Sequence, residues 1–205
     1  MEVSGHYAGI GTRQLTALQQ VLCRKVGRWL AKQQWCLHTG AATGADQTFA
    51  EGAASVPEKG FVILHRPWKS FEATWVEDFR KRVAHFNDYV IDRKDTEARD
   101  FVKICHPAWQ VLGGNFPLMA RNVRIIKPDA RICRFVVAAR SEFGEASGRG
   151  GTEFGIKLAQ HLKVPVVELP REGDLIAVWP VVKQQLKDAM ASPPRCEIPR
   201  WLVDK

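Results

Sequence analysis

A chain of 205 residues with 45% hydrophobic and 25% charged side chains is long enough to bury one core and too apolar to be a disordered polymer. Its formal charge of +8 favours polyanionic partners, because neutralised phosphates release counterions, but a solubilising surface explains it equally well. No run approaches the roughly 18 apolar residues of a membrane span. The N-terminus shows no secretory pattern, and Cys23, Cys36, Cys105, Cys133 and Cys196 are scattered without a CxxC pair, so a cytoplasmic protein with reduced thiols and no metal centre is expected.

Short apolar runs alternate with helical stretches, which predicts a Rossmann-like α/β fold: a mostly parallel sheet with helices on both faces. The first strand is expected at 7–10. A helix over 15–32 follows, with Leu15, Leu18, Val21, Leu22, Val26, Trp29 and Leu30 spaced as one buried face. Strand two is expected at 35–38, a helix from Ala45, and strand three at 61–64. From 69 to 129 the pattern changes. Residues 77–100 hold seven acidic and six basic side chains, typical of solvated helix faces. Helices over 71–90, 96–104, 107–112 and 117–126 would make this an all-helical insertion between strands three and four. Strand four is expected at 132–138, a doubly buried run. A helix over 152–162, strand five at 164–168 and a helix over 174–190 complete one domain spanning 1–190. Residues 191–205 form a proline-interrupted tail, in which Trp201 is the expected anchor.

Three strand-to-helix turns carry the functional signal. The first is Gly9-Ile10-Gly11-Thr12-Arg13. The second runs from Thr39 and Gly40 to Gly44, Ala45 and Asp46. The third is Gly148-Arg149-Gly150-Gly151-Thr152-Glu153, with Thr152 as the expected helix cap. Glycine lets backbone approach a ligand closely, and the free N–H groups at a helix start bind anions. Arg13 adds a bidentate partner for phosphate. Each turn taken singly also fits a structural reading, since tight turns need glycine whatever they bind. In open α/β sheets, however, ligands sit at the carboxyl ends of the strands, where all three turns must lie.

The segments YAGIGTR, TGAATGAD, Pro67-Trp68, His106-Pro107 through Met119-Ala120-Arg121-Asn122, and GRGGTEFGIKLA before Val164-Pro165-Val166 occur in one order. In this order the chain resembles the phage and bacterial branch of the SLOG superfamily, which includes the DNA-processing protein DprA and the LOG (lysine-decarboxylase-like) phosphoribohydrolases. The resemblance covers about residues 6–168. It implies a fold whose glycine turns bind nucleotides or single-stranded DNA, a homodimer, no cofactor, and an Arg121-Asn122 pair that approaches those turns, with Arg121 a phosphate ligand. LOG hydrolases carry a catalytic glutamate in PGGxGTxxE; that position is Gly155 here. A C-terminal winged-helix domain such as full-length DprA proteins carry is not expected.

The carboxylates nearest the turns are Asp46 and Glu153. Either can serve as general acid or base in cleaving an N-glycosidic bond, and either can simply favour a helix dipole. Arg124, Lys127, Arg131 and Arg134 extend Arg121 into a basic cluster relieved by Asp129, the expected nucleic-acid track. Trp68 and Trp109 are candidates for base stacking, His65 and His106 for proton transfer, though core packing accounts for any of them. The function expected is therefore nucleotide or single-stranded-DNA binding without turnover. The alternatives are a nucleoside-monophosphate N-glycosidase or transferase, and a sensor or sponge of an ADP-ribose-like signal.

Overall fold

The computed structural model describes residues 2–192 except 84, 93, 107, 130, 148 and 149. Expectations that involve Pro107, Gly148, Arg149, Cys196 and the tail beyond 192 lie outside the described residues.

The elements run β1 (Gly5–Gly11), α1 (Ala17–Lys32), β2 (Trp35–Thr39), α2 (Ala45–Ala54), β3 (Phe61–Arg66), α3 (Ala73–Arg80), β4 (His85–Val90) and α4 (Thr96–Cys105). Two short 3₁₀ turns, Trp109–Val111 and Gly113–Asn115, lead to α5 (Phe116–Ile126), β5 (Phe135–Ala139), α6 (Glu142–Ser147), α7 (Gly151–His161), β6 (Val166–Glu168) and α8 (Leu175–Ala191). The six strands form one sheet in the order β4-β3-β2-β1-β5-β6. Every pairing is parallel. This is the Rossmann-like α/β architecture expected from the alternation of strands and helices.

Side chains alternate across each strand, so the sheet divides the core in two. Tyr7, Leu37, Leu64, Phe135 and Val137 bury against Leu22, Val26 and Leu30 of α1 and Phe49 of α2. Ala8, Ile10, Val136 and Ala138 face the other way, under Phe101 of α4, Val123 and Ile126 of α5 and Phe154 of α7. A capping box between Thr16 and Gln19 starts α1. The same two side chains reach the carbonyls of Arg171 and Arg140, both at 2.8 Å, and pin that helix end to the ends of β5 and β6. Among the described residues, no helix is long and apolar enough to cross a membrane.

The stretch expected as an all-helical insertion contains a strand. The helix expected over 71–90 ends at Arg80, and His85–Val90 pairs in parallel with β3 as the sheet's edge. The edge is half-solvated, so Asn87, Tyr89 and Val90 are exposed and the run lacks the apolar signature of an inner strand. Its charge is matched from inside the fold. Arg66, itself buried, donates from Nε to Asp88 Oδ1 at 2.8 Å and from Nη2 to Asp88 Oδ2 at 2.5 Å. Further boundaries move: of the helix expected over 107–112 only the 3₁₀ turn Trp109–Val111 forms among the described residues, and β6 begins at Val166 rather than at 164, the Val164 amide being spent on the carbonyl of Ala159. β5 begins at Phe135 rather than at 132, because the Cys133 amide is spent on the carbonyl of Ile126 at the end of α5. α7 begins one residue earlier than expected, with Gly150 at φ 101° as its cap and no side-chain cap bond, so Thr152 sits inside the first turn and is not the cap.

Candidate functional site

β1 is followed by a helix on one face of the sheet, and its neighbour β5 leads into α7 on the other. Between two such divergent connections an α/β sheet opens a crevice at its carboxyl edge. Here it is a cleft of about 860 Å³, walled by the β1–α1 turn, by Ala42 and Asp46, by α5, by the residues after β5, and by Arg171 and Glu172. Of the residues singled out from sequence, Gly11, Thr12, Arg13, Asp46, Arg121, Asn122, Gly150, Gly151 and Thr152 line it.

The remaining candidates stand behind the cleft or away from it. Gly9 is buried beneath Leu37 and Phe49, and its carbonyl accepts the Thr39 hydroxyl at 2.7 Å. The Ala45 amide donates to the Thr12 carbonyl at 3.0 Å, and the Thr12 amide to Ala139 at 2.8 Å. Gly44, at φ 99°, lies against the backbone of Thr12 and Arg13, where a Cβ would stand 2.6 Å from both. Rather than three loops offering free amides to one anion, the second loop therefore supports the first. The amides of Thr12 and Ala45 are spent in doing so.

Gly40 serves the cleft in a different way. A Cβ there would fall 1.7 Å from Arg121 Nη1 and 2.3 Å from Asp46 Oδ2. The missing side chain makes room for a buried ion pair, in which Arg121 Nη1 donates to Asp46 Oδ2 at 2.8 Å. Burial pushes the Asp46 carboxyl above its ordinary value, and Arg121 pulls it partly back. Arg121 Nε has no hydrogen-bond partner among the described residues. The adjacent Asn122 donates from Nδ2 to the Gly151 carbonyl at 3.0 Å, tying α5 to the start of α7.

Glu153, offered from sequence as catalytic, turns into the protein instead of the cleft. It is 3% exposed and accepts from Arg140 at 2.9 and 2.6 Å, while Arg140 also reaches Glu168 at 3.0 Å. It braces β5, β6 and α7. Trp68 lies edge-on to Phe71 in a separate cavity of about 440 Å³ beside Phe116. Neither Trp109 nor His65 nor His106 lines the cleft. Most of the expected basic track is spent inside the fold. Arg124 pairs with Asp95 and Glu97, the buried Lys127 pairs with Glu97, and Arg134 is directed at the carbonyl of Met190. Burial works against the charge on Asp95, but the hydrogen bonds from Arg124 outweigh it and hold the carboxyl below its ordinary value. Of these five cations only Arg131 is exposed.

Among the exposed side chains on the cleft wall, Arg13 is the cation and Phe143 the aromatic, beside Gln14, Glu142 and Glu172. Arg13 is exposed on the β1–α1 turn, and no ion pair or hydrogen bond with a described residue holds its guanidinium. Phe143, on α6, is 79% exposed on the cleft wall and was not anticipated from sequence. The signal available was one large aromatic inside SEFGEASG, a run otherwise rich in small and polar residues.

The fold has a counterpart among solved structures. The fold is similar to that of DNA processing protein A from Helicobacter pylori. The TM-score is 0.58 at 19% identity, over 91% of this chain and 82% of that one. The Helicobacter DNA processing protein A was solved for its mode of binding single-stranded DNA. No protein-family model matches the sequence, and no curated protein matches it.

Proposed function

We propose that the cleft binds single-stranded nucleic acid, with phosphates on one side and a base on the other. Arg13 supplies a solvent-facing charge, Arg121 lies beneath it, and the first turn of α7 offers positive dipole at Gly150, Gly151 and Thr152. Phe143 is the stacking platform, in place of Trp68. The observation that carries this reading is an exposed arginine, paired with none of the described residues, and an exposed phenylalanine on one cleft at the switch point. The single-stranded DNA binding of the similarly folded Helicobacter protein supports it.

Fluorescence anisotropy with an oligo-dT probe across a salt series is the test. Affinity should fall steeply with salt, and Arg13→Ala should lower the logarithmic slope by about 1. Phe143→Ala should cost about 1–3 kcal/mol with little change in slope. Absence of binding at low salt, or binding indifferent to both substitutions, refutes the proposal.

One observation favours a second reading, an N-glycosidase or transferase acting on a nucleoside monophosphate. Asp46 is a cleft carboxyl pushed upward by burial, the direction a general acid requires. This reading rests on Asp46 without Glu153. It expects free base from a nucleoside monophosphate and none from Asp46→Asn. Tight binding of one nucleotide in a thermal-shift panel, with no product, would instead mark the sensor of an ADP-ribose-like signal.

A further inference from the structure

The sheet face under α4, α5 and α7 carries polar side chains where it meets β2, β3 and β4. His6 of β1 lies opposite Cys36 of β2 in the parallel register, and Cys36 and His38, two residues apart on one strand, face the same way. His6 Nδ1 and His38 Nε2 are 2.9 Å apart, and His38 Nδ1 and His65 Nε2 are 3.0 Å apart. One ligand atom each from His6, Cys36 and His38 lies within 4.8 Å of the other two. His6, His38 and His65 open onto a groove of about 700 Å³, separate from the cleft.

We propose that His6, Cys36 and His38 bind a borderline transition-metal ion of the Zn²⁺ class, with His65 as the positioning residue. Two imidazoles and a thiolate are the donor set such an ion prefers, and three protein ligands leave one tetrahedral position for water on the groove side. The spacing of the two imidazoles suits it. Tetrahedral bonds of about 2.0–2.1 Å hold two nitrogens about 3.3 Å apart, so the 2.9 Å between His6 and His38 needs only a few tenths of an ångström of opening. His6 is half-buried and sits at the groove, so it is the ring able to give.

The hydrogen-bond polarity of the row supports the same assignment. The His6 tautomer that suits the donor Arg131 Nη1, 3.5 Å from His6 Nε2, carries its proton on Nδ1. His38 Nε2 then accepts, His38 Nδ1–H donates to His65, and the Nε2 lone pair of His38 is already directed at the metal position. A metal-ligating histidine whose second N–H is held by an acceptor is the usual supporting arrangement. Binding moves the His6 proton from Nδ1 to Nε2 as the exposed Arg131 swings aside. Cys36 loses its thiol proton to solvent as the metal–sulfur bond forms. Metal charge offsets the cost of a thiolate at a position only 3% exposed.

Co²⁺ titration of the full chain, stripped by chelator, tests the site independently of nucleic-acid binding. One equivalent should bind, with the visible bands of a tetrahedral ion and a thiolate charge-transfer band that Zn²⁺ abolishes. Cys36→Ser should remove the charge-transfer band, and His6→Gln, at the half-buried ligand, should weaken binding more than His65→Gln. For His65→Gln the expected loss is about 10–100-fold. Far-UV circular dichroism verifies that each variant is folded. A wild-type spectrum without the thiolate band overturns the proposal whatever the variants do. So does stoichiometric uptake unaltered in folded Cys36→Ser and His6→Gln.

Discussion

Replacing Arg121 with methionine removes the cation of the buried cleft pair and leaves its aliphatic packing largely in place. The partners touch at 2.8 Å, with side-chain exposures of 8% for Arg121 and 5% for Asp46. Truncating one member of such a pair strands the other charge away from water, at a cost of about 3–5 kcal/mol. Against a total stability of about 5–15 kcal/mol, that is a large loss. Urea denaturation should show it as a lower midpoint with unchanged slope. The sign of its pH dependence follows from Asp46. With Arg121 gone, only the backbone hydrogen bond from Ala42 and the charge of Arg13 oppose burial, and the folded carboxyl rises further above its unfolded value near 4. The stranded carboxylate is relieved by protonation, so the penalty should shrink as pH falls from 7 towards 4. Adding Asp46→Asn should return most of the stability at pH 7, and this refolded double variant isolates the guanidinium's part in oligonucleotide binding. A loss below about 1 kcal/mol for Arg121→Met, or one independent of pH, would refute the buried-pair reasoning.

His38 is buried neutral, its imidazole pushed down to about 3, first by burial and then by the neighbouring His6 and Arg131. The unfolded chain takes up this proton near pH 6.5 and the folded chain does not, so stability is complete above that value and declines as pH falls towards 3. Between pH 7 and pH 5, His38 alone should cost about 2 kcal/mol, and a flat denaturation midpoint across that range in metal-free buffer would contradict it. Asp88→Ala strands the buried Arg66 and should cost about 3–5 kcal/mol. Hydrogen exchange should then rise first in the amides of β4; uniform loosening of the whole sheet would show that Asp88 does not act through the edge.

The inner strands and the long helices are legible because their chemistry is local. VVA in β5 and the apolar stripe of α1 require burial whatever surrounds them. β4 is not legible as a strand because an edge strand needs no apolar run, and the buried partner of Asp88 is Arg66, 22 residues away. The same distance effect governs the charges. Arg124 and Lys127 read as a surface track until Asp95 and Glu97 are brought beside them by the packing of α4 on α5. Phe143 carries no periodic signal at all, and the His6–Cys36–His38 group draws on two strands whose register only pairing sets.

By itself the sequence determined the order of the inner strands and the helices packed on them outside residues 69–129, the parallel sheet, and the glycine turns at its carboxyl edge, since hydrophobic period and turn chemistry act over a few residues. Tertiary structure alone decided which of those turns face the cleft and which support it, and which acid meets which base. Glu153 and Asp46 look alike in sequence, each an acid in the first turn of a helix behind a glycine loop. One is directed inward at Arg140, while the other meets Arg121 over Gly40 at the cleft. Whether a charged side chain is spent or available depends on partners distant in sequence, and only the folded chain brings those partners together.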